Sequence, residues 1–216
     1  MKRLCKACGN NLKRIIKIAK TPPCDFYTRK KMLNMKFYSL DLYSCENCKL
    51  IQLSDIVDPN KIYKKYLYKT QHSLGLEMHF SKYFKTINSE IMKRKLDKNI
   101  LDIGCNDGTL LNFFKNKNYK VLGIDPANNI LSDCKKKKIP LINKFFTEQL
   151  ASNLSRRNKF SLITANNVIA NIPNLSEFFK SVYKLLSPKG IFVFETIYGP
   201  KIIKNKFIDM INSEHI

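Results

Sequence analysis

Two kinds of hydrophobic pattern alternate along the chain from residue 99 onward. Short apolar runs, typical of strands that are buried on both faces, are separated by segments with apolar residues at helix spacing. The pattern predicts strands at 100–103, 120–124, 141–145, 160–164 and 191–197. It predicts helices at 109–116, 127–138 and 173–186. Alternation of strands and helices predicts a parallel sheet with ligands at the carboxyl ends of its strands.

A longer helix is predicted ahead of this region, from about residue 73 to residue 95. His72 and His79 lie at or within it, and we interpret both as surface or packed histidines and not as ligands. Upstream, Tyr66 and Tyr68 are either core residues or hydroxyl donors over a cleft, and periodicity does not separate these interpretations. The helix is expected to bury one stripe, formed by Leu74, Met78, Tyr83 with Phe84, Ile87 and Ile91.

The composition fits one α/β domain of ordinary size with a small appendage, because the chain has 216 residues of which 44% are hydrophobic. No run approaches the roughly 18 apolar residues of a membrane helix, and the amino terminus lacks a signal-peptide core, so we expect a cytoplasmic protein without membrane contact. The net charge is +22. A basic surface attracts phosphate backbones, but a lysine-rich composition is also typical of AT-rich coding sequence, so nucleic-acid binding stays open.

The seven cysteines include two Cys-x-x-Cys pairs, Cys5 with Cys8 and Cys45 with Cys48. An odd number of cysteines in a chain without an export signal argues against a disulfide scaffold. Two residues between thiolates let a tight turn direct both sulfurs at one ion, and two such pairs complete a tetrahedral site that suits Zn²⁺. The alternative is a redox pair or incidental cysteines. Cys24, between the pairs, stays unassigned.

The first predicted strand of the sheet runs into a turn, Gly104-Cys105-Asn106-Asp107-Gly108, that precedes a helix. Such a turn lets a ligand approach the backbone, and the start of the helix presents unpaired N–H groups. The second strand ends at Asp125. A carboxylate about 20 residues after the first glycine can accept both ribose hydroxyls of an adenosine ligand.

The same turn departs from the dinucleotide pattern G-x-G-x-x-G, because Asn106 stands at the second glycine position. Asparagine is one of the few other residues that tolerate a left-handed backbone. An adenosine ligand without a pyrophosphate is therefore favoured, and S-adenosylmethionine matches this description. The alternative is an α/β unit in which Asp102 and Asp125 only cap strands.

Several segments stand out together with the four cysteines: YLY at 66–68, MHF at 78–80, LDIGCNDGTLL at 101–111, TANNVIA at 164–170 and EHI at 214–216. In combination they resemble the zinc-binding sugar C-methyltransferases, which use S-adenosylmethionine to methylate a carbon of a nucleotide-linked 4-keto-deoxysugar. The resemblance covers nearly all of the chain. It implies a Rossmann-like class I methyltransferase sheet with a small amino-terminal zinc-binding domain, and S-adenosylmethionine and structural Zn²⁺ as cofactors.

The resemblance also implies roles for individual residues. His215 matches the family's base, Glu214 would orient it, and Tyr68, in preference to Tyr66, would face the sugar. A base removes the proton beside the ketone, donors stabilise the enolate, and its carbon takes the methyl group. The implied cofactor-binding residues are Asp102, Gly104, Asn106, Asp107, Gly108, Asp125, Asn166 and Asn167.

The chain departs from this family in three places. It has Asn171 where the family commonly has histidine, and Ser213 at the first position of a terminal His-Glu-His. The family also continues for a further domain that covers the sugar site, and no strands are predicted after residue 197. We expect an incomplete sheet, whose edge and apolar tail at 202–211 are exposed if nothing covers the last strand, and either a separately encoded C-terminal domain as partner or impaired chemistry.

These observations predict a zinc-binding domain at 1–60, a helical connector at 61–97 and a methyltransferase domain at 98–216. Two other functions stay open. One is a zinc-containing rRNA or tRNA methyltransferase, although residues 166–168 lack the Pro-Pro-aromatic run typical of base methylation. The other is a non-catalytic remnant that binds S-adenosylmethionine.

Overall fold

The structure, a computed structural model, describes residues 3–23, 35–64, 66–207 and 211–214. The chain divides into two compact units. The first unit comprises Met1–Tyr63, Ile169–Ser176 and Thr196–Ile216, and the second comprises Lys64–Val168 and Glu177–Glu195. The division into a zinc-binding domain at 1–60, a helical connector at 61–97 and a methyltransferase domain at 98–216 stays a prediction.

Two small antiparallel sheets build the first unit. Strands β1 (Leu12–Ile16), β4 (Leu42–Cys45) and β5 (Ile51–Leu53) form one sheet in the order β1-β4-β5. Strands β2 (Lys20–Thr21) and β3 (Tyr38–Ser39) form the other. Cys45 ends β4 opposite Leu12. The unit also contains helices α1 (Pro59–Tyr63) and α7 (Gly199–Asn205) and the 3₁₀ turn Ile169–Asn171.

The carboxyl-terminal segment supplies part of the core of this first unit. Ile211 is buried in one cluster with Leu40, Leu42 and Leu53. Ile202 and Ile203 of α7 pack against the same cluster. The expectation that the apolar tail is exposed is therefore wrong for these residues, because the small sheet of the same unit covers them. Phe207 is exposed as expected.

Five parallel strands form the sheet of the second unit, in the order β10-β9-β6-β7-β8. Their bounds are β6 Asn99–Ile103, β7 Lys120–Ile124, β8 Leu141–Ile142, β9 Phe160–Asn166 and β10 Leu186–Glu195. Leu101 in β6 lies opposite Leu122 and Ile163, and β6 is buried almost throughout. The chain steps from β6 to β7 and β8 on one side and returns to β9 and β10 on the other. This reversal creates the switch point at which open parallel sheets bind ligands.

The long helix α2 (Leu76–Lys93) is present, but its buried face differs from the predicted one. Phe80, Phe84, Ile87 and Ile91 are buried, at a spacing of three and four residues. Leu74 precedes the helix and Met78 lies on its outer face, and both are exposed. The helix therefore packs through aromatic residues, and Phe84 meets Phe114 edge to face at 4.8 Å between ring centroids.

The remaining helices are α3 (Thr109–Lys115), α4 (Leu131–Lys136), α5 (Glu148–Ser155) and α6 (Leu175–Leu185). Sequence reasoning missed α5, although its start carries a capping signal, since Thr147 Oγ1 accepts a hydrogen bond from the Leu150 N–H at 3.2 Å. Residues 188–190, between the predicted helix at 173–186 and the predicted strand at 191–197, form a register irregularity inside β10. Each helix in the described part of the chain is too short or too polar to cross a membrane.

The fold leaves no room for a side chain at Gly104, which directly follows β6. Its φ is +72°, and a Cβ atom there would lie 2.3 Å from Val168 Cγ2. Gly104→Ala should lower the unfolding free energy by about 1 kcal/mol for the left-handed backbone and by a further ~1–3 kcal/mol for the clash. Urea denaturation measures this. Gly75→Ala is the matched control, because Gly75 has φ +81° and open space around it. Equal losses in the two variants would show that Val168 does not confine Gly104.

Candidate functional site

The four cysteines of the two Cys-x-x-Cys pairs meet in the first unit. Their Sγ atoms all lie within 4.8 Å of one another. Cys5 Sγ is 3.5 Å from Cys48 Sγ, and Cys8 Sγ is 3.4 Å from Cys45 Sγ. Four sulfurs around a tetrahedral Zn²⁺ at about 2.3 Å would be about 3.8 Å apart. The residues present therefore fit a structural zinc ion.

Each pair sits in the same kind of backbone turn. The Gly9 N–H donates to the Cys5 carbonyl at 2.9 Å, and the Lys49 N–H donates to the Cys45 carbonyl at 3.1 Å. Both closing residues have a left-handed backbone, with φ of +72° at Gly9 and +63° at Lys49. The amide of Asn10 donates to Cys8 Sγ at 3.4 Å and lowers the pKa of that thiol to about 5. The first turn thus favours the thiolate at Cys8, which is the form that binds a metal, whereas burial raises the pKa of the Cys48 thiol in the second turn.

A second site lies at the carboxyl end of the parallel sheet. The turn after β6 has three left-handed residues, with φ of +72° at Gly104, +49° at Asn106 and +74° at Gly108. The prediction that Asn106 adopts this conformation in place of glycine is confirmed. The N–H of Asn106 donates to Asp125 Oδ2 at 2.9 Å, so the turn is joined to the end of β7.

The side chain of Asn106 fastens the turn to the chain segment that precedes α2. Its Oδ1 accepts from the Thr70 N–H at 3.0 Å, and its Nδ2 donates to the Tyr68 carbonyl at 3.0 Å. Its Oδ1 also accepts from the Asp107 N–H at 2.9 Å. The side-chain oxygen and one amide hydrogen of Asn106 therefore shape the turn, and the contact of Asn106 with a cofactor stays a prediction.

The side chain of Asp107, a residue of the same turn, is completely buried. One carboxylate oxygen accepts from the N–H and the hydroxyl of Thr109, and the other accepts from the Gln71 N–H at 2.8 Å. Lys137 Nζ pairs with this carboxylate at 3.3 Å and donates to the Asp107 carbonyl at 2.8 Å. The structure therefore surrounds Asp107 with protein donors, and it anchors the start of α3.

Asp125 occupies the end of β7, where the sequence analysis expects a ribose-binding carboxylate. Its Oδ2 accepts from the Asn106 N–H, and its Oδ1 accepts from the Ala127 N–H at 2.9 Å. Burial raises the pKa of this carboxyl, and the two backbone bonds act in the opposite direction. Each carboxylate oxygen has a second lone pair, so the group can still accept two hydroxyls.

Asp102 lies one residue before the end of β6 and is almost fully buried. The hydroxyl of Thr164 donates to its Oδ1 at 2.7 Å. Burial raises the pKa of this carboxyl to about 7; the Thr164 bond lowers it, and the negative charge of Asp125 raises it. A cationic ligand at the strand ends would favour the ionised form of Asp102.

Asn166 ends β9 and carries an orphaned buried polar atom. Its Oδ1 accepts from the Tyr83 hydroxyl at 2.9 Å and from the Glu195 N–H at 3.1 Å. Its Nδ2 is buried and has no hydrogen-bond partner among the described residues. A buried amide N–H₂ without an acceptor is costly. This N–H₂ group fits a ligand that supplies an acceptor, such as the carboxylate or the purine of S-adenosylmethionine.

Tyr83 and Glu195 extend this network, and His79 completes it. His79 Nε2 lies 2.8 Å and 3.0 Å from the two carboxylate oxygens of Glu195. Burial raises the pKa of the Tyr83 phenol, as do the negative charges of Asp102 and Glu195. The prediction from the sequence did not include Glu195. Its position at the carboxyl end of a parallel strand was the signal that could have identified it. The prediction also missed Tyr83 as a hydroxyl donor, because helix spacing reports only its burial.

The residues predicted to act on the substrate fall in different parts of the chain. Tyr68 is exposed in the second unit, and its ring lies 6.1 Å from that of Tyr66, which packs against the core. Glu214 belongs to the first unit, where its carbonyl accepts from the Tyr63 hydroxyl at 3.4 Å. His215 and Cys24 lie outside the described residues. Asn167 follows β9 with φ +55°, and its N–H donates to the Glu195 carbonyl at 2.8 Å.

Comparison with protein families finds two matches along the chain. Residues 77–211 match the family described as "Methyltransferase domain". Residues 5–63 match the family described as "Putative zinc binding domain". The first match spans more than half of the chain. The chain belongs to the methyltransferase domain family.

Two curated proteins are similar to this chain in sequence. The C-methyltransferase NovU of Streptomyces niveus is 26% identical over 179 residues, which is 82% of this chain and 42% of NovU. The ubiquinone biosynthesis O-methyltransferase of Rhodopseudomonas palustris strain HaA2 is 28% identical over 102 residues, 45% of this chain and 39% of that protein. The chain thus spans less than half the length of these relatives.

The plantazolicin methyltransferase BpumL, solved with a pentazolic desmethylPZN analog and SAH, superimposes with a TM-score of 0.51. It is 17% identical, over 67% of this chain and 56% of BpumL, so the similarity is one of fold. The predicted α/β methyltransferase fold with an amino-terminal zinc-binding region is confirmed. The family matches and the four-cysteine cluster also confirm S-adenosylmethionine and zinc as the cofactors.

The tetrathiolate geometry generates a metal-removal prediction. Cys45→Ser should reduce zinc content from about one ion per chain and loosen the first unit, because structural zinc contributes on the order of 10 kcal/mol to folding. Elemental analysis and thermal unfolding measure the two effects. Cys134→Ser is the control, since Cys134 is a buried cysteine of the second unit. Full zinc content in Cys45→Ser would contradict the ligand set.

Asp102 generates a prediction about pH. Its folded-state pKa of about 7 lies above the usual value near 4, so this group destabilises the fold progressively as pH rises toward 7. Asp102→Asn removes that loss and can keep the bond from Thr164. The variant should gain about 2–3 kcal/mol of unfolding free energy relative to the parent chain between pH 5 and pH 8. Urea denaturation at both pH values measures it, and a pH-independent difference would contradict the shifted pKa.

Proposed function

We propose that this chain transfers a methyl group from S-adenosylmethionine to a carbon beside the ketone of a nucleotide-linked 4-keto-deoxysugar. The observation that carries the proposal is the joint presence of the zinc-binding and methyltransferase families in one chain that aligns with a C-methyltransferase over 82% of its length. The substrate class is the one implied by the sequence resemblance.

Three features of the second unit support the binding of S-adenosylmethionine. Asp125, at the end of β7, would accept the ribose hydroxyls. The left-handed turn after β6 would allow the ligand to approach the backbone at residues 104–108. Asn166 Nδ2 would donate its unused hydrogen bonds. When bound, S-adenosylmethionine supplies an electrophilic methyl group for a carbon nucleophile.

The acceptor has to become such a nucleophile. A ketone acidifies the neighbouring C–H, so a base that removes this proton and a donor that stabilises the enolate oxygen are required. The roles predicted for His215 as base, Glu214 as its orienting partner and Tyr68 or Tyr66 as the donor stay proposals that rest on the resemblance.

The proposed partners follow from the same reasoning. The nucleotide-linked sugar is the small-molecule substrate, and a separately encoded C-terminal domain is the proposed protein partner. The second proposal rests on the sequence resemblance, because that family has a further domain that covers the sugar site.

Transfer of a labelled methyl group tests the function directly. The chain should add one trideuteromethyl group from labelled S-adenosylmethionine to dTDP-4-keto-6-deoxyglucose, detected by mass spectrometry. Asp125→Asn should weaken S-adenosylmethionine binding by roughly tenfold in calorimetry, because charge-assisted bonds to the ribose are lost. Asp133→Asn is the control, since Asp133 pairs with Lys69 instead. Binding without transfer, even with the C-terminal domain supplied, would indicate a remnant, and transfer to RNA would indicate a nucleic-acid methyltransferase.

A further inference from the structure

A histidine and a carboxylate that are far apart in sequence meet at the carboxyl edge of the parallel sheet. His79 comes from α2 and Glu195 ends β10, and Nε2 of the imidazole lies 2.8 Å and 3.0 Å from the carboxylate oxygens. A carboxylate only accepts hydrogen bonds, so Nε2 must carry the proton. In the neutral imidazole the lone pair is therefore on Nδ1. Among the described residues, no polar atom is hydrogen-bonded to Nδ1, and the His79 side chain is 47% exposed.

The partner of this histidine is fixed by the sheet. Glu195 lies in register with Asn166 at the end of the neighbouring strand. Its N–H donates to Asn166 Oδ1, and the Tyr83 hydroxyl donates to the same oxygen. Tyr83 lies one helical turn after His79 on α2. One amide thus joins the backbone of Glu195 to the helix that carries His79, and the carboxylate of Glu195 orients the imidazole.

The strand order places this pair on the acceptor side of the proposed cofactor site. Asp125 ends β7, the left-handed turn follows β6, Asn166 ends β9 and Glu195 ends β10. With the ribose at β7, the part of the ligand farther from the ribose would extend across the switch point toward β9. The next strand end in that direction belongs to β10, and His79 stands over it.

We propose that His79 is a general base of the methyl transfer and that Glu195 is its positioning residue. The inference rests on the proposed function. Nδ1 of His79 takes the proton from the carbon beside the ketone, and the C–H electron pair forms the enolate, with the charge on the former ketone oxygen. The enolate carbon is then the nucleophile for the methyl group. The imidazolium returns its proton to water, to which the half-exposed ring has access.

This assignment differs from the one that the family resemblance implies for His215. A reaction that needs no S-adenosylmethionine can show which of the two histidines is the base. A base that removes the proton reversibly exchanges it with solvent, so deuterium from D₂O enters the carbon beside the ketone. The probe is dTDP-4-keto-6-deoxyglucose, and proton NMR follows the loss of its signal.

His79→Gln should slow this exchange by roughly 100-fold, because glutamine can bond Glu195 but cannot take the proton. Added imidazole should restore exchange to His79→Ala, which a merely structural role would not allow. Glu195→Gln should show a smaller loss. His72→Gln is the matched control and should exchange like the parent chain, because it alters an exposed histidine just outside α2. Melting temperatures and S-adenosylmethionine affinities should be unchanged in all four variants.

Two results would overturn the inference, and they are distinguishable. Parental exchange in His79→Gln, with exchange lost in His215→Gln, would reject His79 as the base and leave the proposed function standing. A parent chain that neither exchanges nor methylates the probe would reject the proposed substrate and, with it, the role of His79.

Discussion

The candidate cofactor site depends on one hydrogen bond, from the N–H of Asn106 to the carboxylate of Asp125 at 2.9 Å. It joins the turn after β6 to the end of β7, and the left-handed backbone of Asn106 directs the N–H there. The side chain of Asn106 then binds the segment at 68–70. These bonds are largely buried, where an unmade bond costs about 1–3 kcal/mol, so the turn has its shape before a ligand arrives.

The two units are stabilised by different interactions. The first has short strands and a small apolar cluster, and its four thiolates stand at the separations that a zinc ion requires. The second has an extensive apolar core that packs against a five-stranded sheet. Its polar groups gather where the strands end, and Asp102, Asp125, Asn166 and Glu195 are all placed there by backbone register. The fold thus concentrates its chemistry at one edge of the sheet.

Local patterns in the sequence predicted the features that local physics decides. Cysteine spacing predicted the metal cluster, and alternation of apolar runs predicted the parallel sheet and the turn. The predicted buried face of α2 was wrong at Leu74 and Met78, because apolar residues occur on both sides of the helix and packing selects Phe80 instead, together with the predicted Phe84. Contacts between distant segments, such as Lys137 with Asp107 and His79 with Glu195, leave no local signature. They depend on strand order, which only the folded chain defines.

The central claim is that a sulfonium nucleoside binds at the turn after β6, with its ribose on Asp125. The most direct test is a titration of the ¹⁵N-labelled chain with S-adenosylhomocysteine, followed by backbone amide NMR. The account predicts saturable shifts at residues 104–108 and at Asp125, Asn166 and Asn167, with little change at the four cysteines. Shifts confined to other residues, or no shifts at millimolar ligand, would contradict it.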